Sequence, residues 1–104
     1  MTLHREEASR SIEQWRRRID EIDRQLVALL NERLRCAMEI GRLKQVARLP
    51  LYQPEREQEI LANVERANPG PLPVTALRRL FERILDEARS MERQAMRGEP
   101  PRED

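Results

Sequence analysis

WRRRIDEIDRQLVALLNERLRCAMEIGRLKQVA, residues 15–47, is the stretch whose reading decides the fold. Within it Trp15, Ile19, Ile22, Leu26, Leu29, Arg33, Cys36, Ile40, Leu43 and Ala47 follow one another at alternating steps of four and three, an unbroken heptad seam. No proline interrupts the seam and its only glycine is Gly41. The spacing therefore predicts one continuous helix of about 50 Å, at a rise of roughly 1.5 Å per residue. A compact domain of about 100 residues has a radius of gyration of only about 13 Å. A rod longer than that width cannot cover its own seam, so the seam calls for a second chain.

Arg33 stands on this seam where the pattern wants an aliphatic side chain. A guanidinium buried there must be paired. Two readings follow. One polar residue at a core position can fix the register of a coiled coil at a cost in stability. Alternatively, the arginine belongs to an anion site inside a helical bundle.

Outward from the seam, composition narrows the classes. The chain has 104 residues, 38% of them charged and 3% aromatic, so one domain with a thin aliphatic core is expected. Its 20 basic and 19 acidic side chains are interspersed and leave a net charge of +1. That pattern gives no sustained basic face and argues against nucleic acid as a partner. The single cysteine, Cys36, lies on the apolar seam and reads as a small buried hydrophobe in a reducing compartment. The amino terminus lacks the apolar core of a signal peptide, and no apolar run has the length of a membrane span, so a cytoplasmic protein is expected. His4, the only histidine, lies in the terminal segment, which disfavours histidine-based acid–base chemistry or a metal site.

Ser11 and Gln14 have the spacing of a capping box, which places the start of the first helix near Ile12. Residues 1–11 then read as a flexible segment that is loosely ordered or adds an extra turn. Pro50 stops the first helix. Pro54, with Glu55 and Glu57, suits the first turn of a second helix, whose apolar stripe is Ile60, Leu61 and Val64. Asn68-Pro69-Gly70-Pro71-Leu72-Pro73 ends it. The three–four step returns as Val74, Leu77, Phe81, Ile84, Ala88, Met91 and Ala95, a third helix that ends by Gly98. The expected architecture is all-α, with a long, a short and a medium helix in one domain over residues 12–97 and a disordered tail over 98–104. No phosphate loop, nucleophile motif or zinc-type spacing is present in the sequence, so covalent catalysis has no evident agent and neither a cofactor nor a metal is expected.

Lys44 follows Arg33 by eleven residues, three helical turns, so both project from nearly the same face. The short connection after Ala47 would bring Arg56 and Glu57 to the same region. Here the order becomes specific. Arg16, the stretch Ile19 to Leu30, Glu32-Arg33, Glu39-Ile-Gly-Arg-Leu-Lys44, Pro50, Glu55-Arg56-Glu57, and Leu80-Phe81 followed by Ile84 resemble the all-helical (AroQ-type) chorismate mutase family, from about Ser11 to Ala95.

The resemblance implies an intertwined homodimer of three-helix chains. Each of its two sites would be lined mostly by one protomer and completed by an arginine of the other, by position Arg16. Arg16 and Arg33 are seventeen residues apart, about 25 Å along one helix, too far to share one small ligand within a chain. The implied reaction is the pericyclic rearrangement of chorismate to prephenate, which needs no nucleophile, metal or cofactor. As the bond to the ether oxygen breaks, negative charge grows there, and fixed cationic donors in a dry site stabilise it. By similarity Arg33 and the partner's Arg16 bind the carboxylates and Lys44 donates to the ether oxygen. Arg56 supports the cationic cluster, and Glu57 accepts from the substrate hydroxyl. The chain departs from the family's pattern at three positions. Gln53 stands where many relatives have an acidic residue, Ala88 where some have a serine, and Glu92 where a glutamine is usual. Glutamine donates a hydrogen bond to the ether oxygen at any pH, whereas glutamate donates only when protonated.

Two other readings share these residues. An isochorismate pyruvate lyase on the same scaffold also redistributes electrons across an ether bond in a dianion. A non-catalytic dimer could instead bind chorismate or prephenate and regulate another shikimate-pathway enzyme.

Overall fold

The computed structural model describes residues 4–98. They form α1 (Arg5–Ala47), α2 (Pro54–Ala67) and α3 (Val74–Arg97), the long, short and medium helices that the patterns predict, with no strand among the described residues. The chain divides into two compact units, one up to Arg33 and one from Leu34 on.

In the first unit α1 begins at Arg5, well before Ile12, so residues 5–11 of the segment read as flexible are helical and Ser11 is an interior helical residue rather than a cap. The reason lies in residue type: Arg5 to Arg10 contain no proline or glycine, and Glu6 and Glu7 meet the positive end of the helix dipole. The first turn closes with the Ala8 amide donating to the His4 carbonyl at 2.9 Å. Residues 1–3 lie outside the described residues. Exposed pairs one turn apart, Arg16–Glu13 and Arg18–Glu21, line the surface. No residue from 4 to 33 is buried. The seam is bare, with Trp15 71% exposed and Ile19, Ile22, Leu26 and Leu29 also exposed.

The second unit has an interior. There α1 buries Ala37, Gly41 and Lys44, at steps of four and three, while the seam residues Cys36, Ile40 and Leu43, one position back, are exposed. The reading of Cys36 as buried is therefore corrected: in this single chain it lies just beside the inward stripe. Leu61 of α2 and Leu77, Leu85 and Ala88 of α3 complete the core. On α3 Leu85 turns inward together with the pattern members Leu77 and Ala88, whereas Ile84, also a member of the three–four pattern, is half-buried.

Gly41 sets how closely α1 meets α3. A Cβ at Gly41 would lie 2.6 Å from the Glu92 carbonyl oxygen and 2.8 Å from the Glu92 Cα. Only a residue without a side chain lets these two backbones touch. α1 then ends in two crossed bonds: the Leu49 amide donates to the Lys44 carbonyl at 2.9 Å and the Arg48 amide to that of Gln45 at 3.2 Å. This closure needs a left-handed residue, supplied by Arg48 at φ 58°.

Pro54 opens α2, and the Gln53 carbonyl accepts from the amides of Arg56 at 3.1 Å and Glu57 at 3.2 Å. After α2 the Asn68 side chain holds the turn, accepting from the Gly70 amide and donating to the Leu72 carbonyl. α3 starts at Val74, and Gly98 caps it in the left-handed conformation. Residues 99–104, most of the tail read as disordered, lie outside the described residues.

Candidate active site

The polar centre of the second unit is Lys44, which is 8% exposed on the inward stripe of α1. A buried ammonium is tolerated only when paired. Its Nζ donates to the Leu51 carbonyl at 2.8 Å and to Glu92 Oε2 at 3.2 Å. The connection after α1 supplies the first partner, because the turn at Arg48 brings Leu51 back over the last helical turn. The Gly41 contact supplies the second, by setting the backbone at Glu92 against α1 one turn before Lys44. An ammonium has three protons, so these two bonds leave one donor for a ligand. Glu92 faces inward: its side chain is 14% exposed, against 10% for that of Lys44. Ala88, one turn before Glu92, is buried and offers no hydrogen bond.

A second polar cluster joins α2 to α3. Glu57, in the first turn of α2, accepts from Arg89 of α3: Nη2 lies 2.9 Å from both carboxylate oxygens and Nε lies 3.1 Å from Oε2. Arg89 Nη1 also donates to Asp86 at 3.3 Å, and its guanidinium carbon sits 5.2 Å from the centre of the Tyr52 ring. The bonds to Glu57 hold the Arg89 guanidinium above its ordinary pKa, outweighing the desolvation that opposes its charge. Arg89 was not singled out in the sequence, because a pair 32 residues apart has no local period. The available signal is its spacing: Arg89 precedes Glu92 by three residues and so shares its side of α3.

The remaining candidates are dispersed. Gln53 is half-buried at the start of α2, where its backbone carbonyl, not its side chain, caps the helix. Arg56 does not join a cationic cluster in this chain. Its side chain is exposed and pairs with Glu59, one turn along α2. Arg33 and Arg16 belong to the first unit, where Arg33 is half-buried and Arg16 is exposed and paired with Glu13. Among the described residues no group of three or more His, Cys, Asp or Glu side chains is placed to hold a metal ion.

The chain as a whole has relatives. The family model for chorismate mutase type II matches residues 15–93. Over 86 residues, 79% of this chain, the sequence is 37% identical to the bifunctional chorismate mutase/prephenate dehydratase of Aquifex aeolicus, of which it covers 24%. It is 41% identical over 78 residues to the corresponding bifunctional protein of Neisseria gonorrhoeae, covering 75% of this chain and 21% of that one. The chain thus spans about a quarter or less of the length of these curated relatives. Among solved structures, chorismate mutase (form II) of Thermus thermophilus superposes with a TM-score of 0.79 at 39% identity, covering 81% of this chain and 96% of that one. A match over residues 15–93, joined to an all-helical fold that superposes on a solved mutase, places this chain in the chorismate mutase type II family.

Proposed function

We propose that this chain catalyses the rearrangement of chorismate to prephenate, a step of phenylalanine and tyrosine biosynthesis, by electrostatic stabilisation of the transition state. The observation that carries this reading is Lys44: a buried, doubly held ammonium with one donor left over, in a chain of this family. Because its bonds to Leu51 and Glu92 fix Nζ in advance, little reorganisation is needed when charge develops on the ether oxygen. Lys44, Arg33 and Glu92 act at the reacting atoms. Arg16, Gln53, Arg56, Glu57 and Ala88 complete the substrate's surroundings, Gln53 through its backbone.

The working unit is a homodimer in which Arg16 of one chain serves the site of the other. The bare seam of α1 supports this: Trp15, Ile19, Ile22, Leu26 and Leu29, with Ile40 and Leu43 beyond Arg33, stay exposed in the single chain and have their counterpart in a second copy of the same seam. We place the protein in the cytoplasm, where its unpaired Cys36 remains a thiol. No helix among the described residues is long and apolar enough to cross a membrane.

The test is to assay the purified protein with chorismate and, separately, with isochorismate. Prephenate formation from chorismate is expected. Pyruvate release from isochorismate without prephenate formation selects the lyase. Tight binding of chorismate without turnover selects the regulatory partner.

A further inference from the structure

Two arginines of α3 reach carboxylates of α2, and they do so differently. Arg78 meets Glu65 through one nitrogen at 2.8 Å, with both side chains substantially wet. Arg89 meets Glu57 with its fork, both nitrogens engaged, and the two side chains are 27% and 21% exposed. A surface pair of the first kind contributes little. The second fixes the plane of a carboxylate.

The count of lone pairs gives this orientation a consequence. An ionised carboxylate has about four acceptor sites, two on each oxygen. Two Arg89 protons reach this carboxylate: Nε–H bonds Oε2, and one Nη2–H is shared between Oε2 and Oε1. Oε1 carries only that shared bond and keeps acceptor capacity on its outer side. The guanidinium is itself held from two further directions, by Asp86 at Nη1 and by the face of Tyr52.

We infer that Arg89 is a positioning residue that turns Glu57 so that Oε1, the less occupied oxygen, presents its acceptor side to the ring hydroxyl of the substrate. Its positive charge also offsets a carboxylate that would otherwise repel a dianionic ligand. The inference rests on the mutase reading above and adds to it a selectivity for hydroxylated substrate that originates on α3. Lysine does not replace Arg89 fully, because a point charge neutralises Glu57 without fixing its plane.

The experiment is a double-mutant cycle on steady-state kinetics, with helix content checked by circular dichroism for every variant. Arg89→Met in the parent is expected to raise KM for chorismate roughly tenfold while kcat changes about twofold or less, the pattern of an interaction equal in ground and transition states. In a Glu57→Ala background the same substitution is expected to change nothing further. For the analogue lacking the ring hydroxyl, Arg89→Met should cost less than it costs chorismate, since only the loss of charge compensation remains. Arg89→Lys is expected to fall between parent and Arg89→Met, and if Arg89→Met does not fold, Arg89→Lys and Arg89→Gln carry the same cycle. Equal losses in both backgrounds, or equal losses with and without the ring hydroxyl, would show that Arg89 only ties α3 to α2 and would overturn the inference alone. A folded parent with no mutase activity overturns the reading and the inference with it.

Discussion

The two parts of α1 have the same pattern and different surroundings. Between Arg5 and Arg33 the apolar row runs from Trp15 to Leu29 and no residue is buried, whereas from Leu34 to Ala47 three residues are buried and none is a large hydrophobe. The inward stripe of the second part is Ala37, Gly41 and Lys44: two small residues that let another helix approach, and one cation. Apolar periodicity thus marks the face that gains most from being covered, without saying what covers it. The face that packs within the chain is chosen by size.

The comparison breaks most visibly at the bare seam. Leu26→Asp is expected to abolish the dimer and unfold the first unit, because a carboxylate would then be buried without a partner once in each chain, at about 3–5 kcal/mol each. Sedimentation and circular dichroism at equal concentration check it. A well-folded, active monomer would remove the second copy from the account of this seam.

Gly41→Ala probes the other stripe. In an exposed helix this change stabilises by roughly 0.5–1 kcal/mol. Here the added Cβ meets backbone atoms of Glu92, which cannot rotate away, so the sign reverses and a loss of about 1–3 kcal/mol is expected. Urea unfolding measures it. Activity should fall as well, since the same contact holds Glu92 against Lys44.

Glu92→Gln leaves the bare seam untouched; it keeps an acceptor beside Lys44, removes the negative charge there and adds a donor. In the parent Glu92 accepts from Lys44 Nζ, whereas a glutamine side chain carries an amide that can also donate toward the ether oxygen. With glutamine the rate near neutrality should be roughly tenfold higher, a difference set by one hydrogen bond to a charged group. Equal kcat values for parent and variant, with helix content unchanged by circular dichroism, would remove Glu92 from the chemistry.

The smallest effect is expected at the end of α1. Arg48 holds φ 58°, where a side chain crowds the backbone and glycine does not. Arg48→Gly should stabilise the chain by about 0.5–1 kcal/mol, the strain relieved less the extra freedom of glycine in the unfolded state. A thermal melt registers it. No change would mean that the guanidinium supplies something that offsets the strain.

The sequence by itself determined the three helices and most of their ends. Pro50, Pro54, the run from Asn68 to Pro73 and Gly98 are punctuation whose effect is local, since each removes a donor or supplies a backbone conformation without reference to the rest of the chain. The start of α1 was less legible: Ser11 and Gln14 have the spacing of a cap, but the helix-forming residues ahead of them simply continue the helix to Arg5. The ordered cations also carried the family, which the match over residues 15–93 bears out.

What only the tertiary structure decided is which side of each helix meets which. Lys44 is legible as a cation on a helix, but its burial and its bonds to Leu51 and Glu92 depend on the Gly41 contact. The grip of Arg89 on Glu57 likewise follows from how α2 lies on α3, whereas Arg56 pairs locally with Glu59 one turn along α2. Heptad spacing fixes a residue's angle about its own axis to within one position, and one position on an α-helix is about 100°. That angle separates exposed Leu43 from buried Lys44, and only the packing of one helix on another resolves it.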